Sequence, residues 1–342
     1  MTTTSTTPLR VVAIGGGTGL STLLRGLKRY VAAPIGTIPA TDPACKDLPC
    51  LIRDLAAVVT VTDDGGSSGR LREDFKMLPP GDVRNCMVAL SEDEHLLSRL
   101  FQYRFDHGEL EGHSFGNLFV AALSNITGDF AQAVQMSSQI LATRGRIYPA
   151  TNQNVTLSAR MDDGSNVDGE TSITASRQRI VELMLQPADA RPLPETLDAI
   201  ANADLITLGP GSLYTSLITN LLVRGIPEAI AASRATRVYV CNLMTQANES
   251  LGLTAAQHIE KILQHAGGAR IFDYALINTA PISPTLLEQY AREGQTPIEP
   301  DLDCIRALGV EPITGNFVHE GNVLRHDHDK VTEAVLDLAL RK

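Results

Sequence analysis

The sequence predicts an α/β fold of three layers, a mostly parallel sheet covered by helices on both faces. Two observations predict it. Short apolar runs rich in β-branched residues alternate along the chain with stretches of helical periodicity, the pattern of repeated strand–helix units. The first such run, Val11-Val12-Ala13-Ile14, leads directly into Gly15-Gly16-Gly17-Thr18-Gly19 and then into a helix. Glycines let the main chain turn sharply and approach a ligand closely, and the helix beyond them presents unpaired N–H groups and the positive end of its dipole. This junction builds an anion site from backbone alone, so a phosphate-bearing ligand is the first functional expectation.

The elements follow in order. The first strand is expected over residues 9–14. Leu20, Leu23, Leu24 and Leu27 recur at i, i+3, i+4 and i+7 and predict the first helix. Residues 34–51 carry four prolines and two cysteines and fit neither strand nor helix, so they read as an inserted loop. A second strand is expected over 57–62. Residues 155–160 and 167–173, joined across Asp162-Asp163-Gly164, read as a β-hairpin. A further strand over 205–208 ends in Gly209-Pro210-Gly211-Ser212 and a helical stretch over 213–223. Buried strands are expected at 238–241 and 274–277, and an amphipathic helix at 331–340. With no internal repeat and no linker rich enough to divide it, the chain reads as a short disordered tail, residues 1–8, and one domain over 9–342.

Composition narrows the function. A chain of 342 residues with 43% hydrophobic side chains supports a substantial core. No apolar run approaches the roughly 18 residues of a membrane span, and the first eight residues lack the charged start and apolar centre of a secretory signal. Twenty-nine basic against 39 acidic side chains leave a formal charge of −10, which argues against a general nucleic-acid binder. Eight Phe, seven Tyr and no Trp leave little for base stacking. The five cysteines (45, 50, 86, 241 and 304) have no zinc-site spacing and are expected as reduced thiols in a cytoplasmic protein.

Several polar constellations fall at strand ends, where ligands sit in open α/β sheets. The second strand leads into Asp63-Asp64-Gly65-Gly66-Ser67-Ser68-Gly69-Arg70. An acid there reaches a ribose hydroxyl in dinucleotide sites, and paired carboxylates alternatively hold a divalent cation beside a diphosphate. A solvated acidic turn capping the next helix is the plainer reading. The first glycine loop is neither a full G-x-G-x-x-G, since Leu20 follows it, nor a P-loop, since no Gly-Lys-Ser/Thr follows. A second glycine junction, 209–212, suggests two loops flanking one ligand. Ser212 is no esterase nucleophile, because Pro210 and Tyr214 stand where G-x-S-x-G needs glycines. Asn85, in Gly81-Asp82-Val83-Arg84-Asn85, and Asn117, in His113-Ser114-Phe115-Gly116-Asn117, precede apolar helical runs. Arg144 and Arg146 offer guanidiniums suited to phosphate, and Asn242 directly follows a strand. Arg325-His326-Asp327-His328-Asp329 invites a metal reading, but no third ligand has fixed spacing, so a solvated turn before the last helix is expected. Arg325 remains a contact for an anionic ligand.

Taken together, the glycine loop 15–19, the run from Asp63 to Arg72, Gly81-Asp82-Val83-Arg84-Asn85, Ser114-Phe115-Gly116-Asn117, Gly209-Pro210-Gly211-Ser212-Leu213-Tyr214-Thr215-Ser216 and Asn242-Leu243-Met244-Thr245-Gln246 resemble the YvcK family of gluconeogenesis factors, within the CofD-like superfamily. The match runs from about residue 9 to the C-terminus. The resemblance implies a Rossmann-like α/β fold, binding of UDP-activated sugars, UDP-N-acetylglucosamine above all, and a role in cell shape and wall synthesis on gluconeogenic carbon. It implies UDP-sugar binding at Tyr290 and Arg325. The more distant 2-phospho-L-lactate transferase uses a guanosine diphosphate donor, a deazaflavin acceptor and magnesium, and its strand-end Thr-Gly-Asp-Asp carries over onto Asp63 and Asp64 as metal ligands. The expected ligand site therefore comprises Gly15, Gly16, Gly17, Thr18, Gly19, Asp63, Asp64, Asn85, Asn117, Gly209, Gly211, Ser212, Asn242, Tyr290 and Arg325. Uridine is expected near the second strand, the diphosphate on the first glycine loop, and the sugar toward Asn242 and Arg325. A regulatory binder without turnover, acting as a homodimer, is the leading reading; a magnesium-dependent phospho-group transferase competes with it. Two departures stand out: the 34–51 insertion, and Ala247-Asn248-Glu249-Ser250 where the family continues Pro-Gly-Glu-Thr.

Overall fold

Residues 8–32, 49–92 and 96–341 are described by the computed structural model. The expected tail up to residue 7 and most of the inserted loop, residues 34–48, lie outside them. The main sheet has seven strands: β1 (Leu9–Gly15), β2 (Ile52–Val59), β3 (Arg146–Pro149), then, after a separate small sheet, β7 (Leu205–Leu208), β8 (Thr236–Val240), β9 (Tyr274–Asn278) and β10 (Glu311–Gly315). Its order is β10–β9–β8–β7–β1–β2–β3, and every neighbouring pair is parallel. The small sheet is antiparallel, with β4 (Thr156–Met161) between β5 (Asn166–Asp168) and β6 (Ile180–Gln186). A hairpin of β11 (Val318–Glu320) and β12 (Leu324–His326) precedes the last helix, His328–Leu340.

The topology positions the site. From β1 the chain runs outward through β2 to β3, returns to β7 on the other flank of β1, and then continues outward to β10. The order reverses between β1 and β7, and a crevice opens at such a switch point beyond the carboxyl ends of the strands. Ile14 lies opposite Leu208 in that pair, and Gly209 N–H donates to the Ile14 carbonyl at 3.0 Å. The two glycine loops therefore leave the sheet side by side.

The apolar run of β1 is buried from Val11 to Gly15, as a strand covered on both faces requires. In the helix Gly17–Leu27, Leu20, Leu23, Leu24 and Leu27 are each at most 1% exposed. Burying each stabilises the fold by roughly 1.5–3 kcal/mol. This helix packs against Gly81–Leu90 and His328–Leu340.

Several expectations are corrected. β2 is Ile52–Val59 rather than 57–62: it is matched to β1, with Gly15 opposite Val59, and Thr60 N–H to the Gly15 carbonyl at 3.0 Å closes the ladder. Residues 60–64 are thereby freed to turn into the crevice. The second hairpin strand ends at Asp168; Gly169 has φ +89° and a helix, Glu170–Ala175, follows. The stretch after β7 is a π-helical segment, Leu213–Ile218, continued by Thr219–Leu221. Residues 325–329 are not a solvated turn: Arg325 and His326 belong to β12, and Asp327 caps the final helix by accepting from Asp329 N–H at 3.1 Å and Lys330 N–H at 3.2 Å. Cys86, Cys241 and Cys304 are free, but Cys50 is in a disulfide, so the thiols are not all reduced. Among the described residues no helix is long and apolar enough to cross a membrane.

Candidate functional site

A cavity of about 610 Å³ lies at the switch point, within the roughly 300–1,000 Å³ of small-molecule pockets. Its floor is the first glycine loop. Gly16 is the extended N-cap of the helix Gly17–Leu27 and has no side chain to cap it; the Gly17 N–H is engaged by the Asp82 carboxyl, and the helix start lines the crevice. Gly17 has φ +59°, a left-handed conformation that only glycine adopts without strain. Gly19 is required by close approach: a Cβ there would lie 2.3 Å from the Pro210 carbonyl oxygen of the second loop.

That second loop is held from β8. The Asn242 side-chain oxygen accepts from Gly211 N–H at 3.4 Å, and Gln246 Nε2 donates to Ser212 Oγ at 3.0 Å. Glu249 is half-buried and reaches back to the start of the π-helical segment, accepting from Thr215 Oγ1 at 2.9 Å and Tyr214 N–H at 3.3 Å. The turn that aims it places Asn248 at φ +62°, a conformation asparagine tolerates, so the residues replacing Pro-Gly still deliver the glutamate. Burial raises the Glu249 pKa, and the three donors at Thr215 and Tyr214 oppose the rise.

The far wall comes from the C-terminal part of the chain. Tyr290, Leu324, Arg325 and His326 line the cavity. Tyr290 Oη accepts from Leu324 N–H at 3.0 Å and so ties the helix Pro284–Ala291 to the hairpin that carries Arg325. His326 Nε2 lies 3.0 Å from the Cys241 carbonyl oxygen.

Acids close the remaining side. Asp63, Asp82 and Glu170 all line the cavity. Burial pushes the Glu170 carboxyl up to about 9, with the charges of Asp63 and Asp82 adding to the rise and the Thr62 hydroxyl, donating at 3.0 Å, opposing it. Burial likewise pushes Asp82 up to about 7, aided by Asp63 and opposed by the Gly17 N–H and Arg84. At neutral pH Glu170 is thus uncharged and Asp82 is partly so. Three full negative charges would repel a phosphate; this arrangement lowers the repulsion.

Of the residues expected from the sequence, Gly16, Gly17, Thr18, Gly19, Asp63, Gly211, Ser212, Asn242, Tyr290 and Arg325 are brought together here. Five do not line the cavity. Gly15 ends β1, and Gly209 sits behind the loop, where a Cβ would lie 2.8 Å from the Val240 carbonyl oxygen. Asn85 turns to accept from Arg84 Nη2 at 2.7 Å, and Asn117 is buried, donating to Ser67 Oγ at 3.2 Å. Asp64 turns away to accept from Thr171 N–H at 2.8 Å and Oγ1 at 2.6 Å. The arginines at 144 and 146 pair with Glu92 and Asp54 instead of reaching the site.

The divergence of Asp63 and Asp64 bears on magnesium. Asp63 Oδ1 accepts from Gly65 N–H at 2.9 Å while Asp64 is spent on Thr171, so the two carboxylates do not fit a shared cation. Among the described residues no group of three or more His, Cys, Asp or Glu side chains is arranged to hold a metal ion. Sequence reasoning missed Asp82, Glu170, Thr215, Ser216, Gln246 and His326 as lining residues. Asp82, Thr215, Ser216, Gln246 and His326 each lie within a run that the sequence singles out, whereas Glu170 had no local signal.

Residues 11–318 match the family described as 2-phospho-L-lactate transferase CofD. The gluconeogenesis factor of Halalkalibacterium halodurans is 48% identical over 329 residues, spanning 96% of this chain and 95% of the relative. That of Bacillus subtilis is 45% identical over 331 residues, spanning 96% and 98%. A crystal structure of a UPF0052-family protein from Bacillus halodurans matches with a TM-score of 0.88 at 47% identity, covering 97% of this chain and 100% of that one. With the motif series in order over the same span, the chain belongs to the CofD family, among its gluconeogenesis factors.

Proposed function

We propose that the chain binds a nucleoside diphosphate sugar of the UDP-N-acetylglucosamine type and acts as a regulatory protein that leaves its ligand intact. In this role it would serve cell shape and wall synthesis during gluconeogenic growth. The carrying observation is the convergence of two glycine loops on one cavity at the sheet's switch point. A glycine loop at a helix start suits a diphosphate, and Arg325 supplies the matching cation from the opposite wall. A 610 Å³ cavity accommodates more than a phosphate group alone, and the relatives' name, gluconeogenesis factor, agrees with a regulatory role. The divergence of Asp64 from Asp63 favours binding over a magnesium-dependent transfer.

Isothermal titration calorimetry tests the reading, with UDP-N-acetylglucosamine and GDP side by side, each with and without magnesium. Metal-independent binding of the UDP-sugar, with the compound recovered intact, is the expected result. Preference for GDP with magnesium points instead to a transferase, and silence from both removes the ligand assignment. We further propose that the protein works as a cytoplasmic homodimer, whose mass light scattering reads directly.

A further inference from the structure

His326 lines the cavity, yet it makes no hydrogen bond to either glycine loop. Its Nε2 lies 3.0 Å from the Cys241 carbonyl oxygen, at the end of β8. A carbonyl oxygen only accepts, so Nε2 carries the proton and donates it there. Burial holds the ring's pKa down at about 4, so the imidazole is neutral at physiological pH and Nδ1 keeps a lone pair. Among the described residues nothing donates to Nδ1, and it is not one of the unpartnered polar atoms sealed in the interior. His258 shows the contrast. It is fully buried, its Nδ1 is paired with Tyr239 Oη at 3.2 Å and its Nε2 is sealed in the core, as for a packing histidine. The free nitrogen of His326 belongs to a ring that lines the cavity beside Arg325, Tyr290 and Asn242.

We infer that His326 is a specificity-determining residue of this cavity, whose Nδ1 accepts a hydrogen bond from a hydroxyl or amide N–H on the sugar of a nucleoside diphosphate sugar. The inference rests on the function proposed above. The chemistry follows from the tautomer. Phosphate oxygens and carbonyls only accept, so a neutral imidazole whose sole proton is already committed has nothing to offer them. The side of the cavity that His326 faces is therefore built for a donor-bearing group and against the diphosphate. Arg325, next to it in the chain, has the opposite selectivity, since a guanidinium only donates. The pair thus sorts the two chemical halves of such a ligand: charge to the arginine, hydroxyl or amide to the histidine.

The test is calorimetry on the full chain with UDP and with UDP-N-acetylglucosamine, for the wild type, His326→Gln and His326→Ala. Glutamine keeps a donor for the Cys241 carbonyl and still carries one acceptor, Oε1, whereas alanine removes both, so the ratio of the two affinities in alanine reads the ligand contact and glutamine serves as the conservative rescue. In the wild type the UDP-sugar binds more tightly than UDP. In His326→Ala that ratio falls by about ten-fold, the worth of one hydrogen bond to a buried partner, and in His326→Gln it falls less, while UDP affinity in the glutamine variant stays within two-fold. A ratio in His326→Ala equal to that of the wild type overturns the inference, as does a wild type that binds UDP and its sugar conjugate equally. If neither compound binds the wild type, the proposed function falls and this inference with it. Should the variants fail to fold, ¹⁵N spectra of wild-type histidines decide: the unprotonated Nδ1 resonance of His326 shifts on addition of the UDP-sugar and stays in place on addition of UDP, and no sugar-specific shift overturns the inference.

Discussion

Alanine at position 19 tests whether the two glycine loops form one rigid cradle. The added Cβ would lie 2.3 Å from the Pro210 carbonyl oxygen, 2.6 Å from its carbon and 2.8 Å from Gly211 N, all backbone atoms of the opposing loop. No side chain can swing aside to relieve this. Restoring an ordinary contact of about 3.4 Å requires the loops to part by about 1 Å. Overpacking of this kind costs about 1–3 kcal/mol of stability. A 1 Å displacement also breaks the alignment of the helix-start N–H groups with a bound phosphate, for which a loss of about 10²-fold in affinity is expected. Gly15→Ala is the control from the same glycine run, because its Cβ would meet Leu20 Cβ at 3.4 Å and Leu217 Cδ2 at 3.6 Å, ordinary contacts. Titration calorimetry with the UDP-sugar and thermal denaturation are run on both variants. If Gly19→Ala binds and melts like Gly15→Ala, the loops are independent and the single-cradle argument is wrong.

The acids define a pH response. Asp82 and Glu170 are pushed up to about 7 and about 9, so the folded protein holds protons that the unfolded chain releases near pH 4. Stability therefore falls as pH rises from about 4 through 7 and on toward 9, and chemical denaturation of Asp82→Asn should show a shallower fall between pH 5 and 7 than the wild type. Diphosphate affinity weakens over the same rise as Asp82 ionises, and calorimetry at pH 6 and 8 reads it; equal affinities at both would contradict the electrostatic argument. Glu249→Ala leaves the Tyr214 N–H and Thr215 hydroxyl without their acceptor, for an expected loss of about 1–3 kcal/mol in urea denaturation. Tyr290→Phe frees Leu324 N–H and loosens the hairpin that carries Arg325, so UDP-sugar affinity should drop about 2–10-fold with little change in melting temperature.

Local sequence was most legible where one element's own pattern decides its structure. Residues 205–208, an unbroken apolar run before a glycine loop, form a strand with those bounds. The leucine spacing after Gly19 marks a helix because one apolar stripe must face the sheet. The β2 boundary was less legible, since Thr60 and Thr62 have good strand propensity but the ladder stops where β1 stops, at Gly15. The small sheet was half visible: the hairpin turn at 162–164 carries turn residues, whereas β6 is only intermittently buried and has no clean alternation.

The chain's own residues determined the parallel α/β class, the two glycine junctions and the backbone anion site, because propensity, periodicity and glycine geometry act over a few neighbouring positions. Tertiary structure alone decided which polar groups meet. Asp82, Glu170 and His326 are far apart in sequence and converge only because the strand order reverses between β1 and β7. Asp63 and Asp64 are adjacent in sequence yet separate because one carboxylate lines the cavity and the other accepts from the helix start at Thr171. Burial in that crevice, which no local pattern encodes, is what shifts the acids toward neutrality and keeps the histidine uncharged.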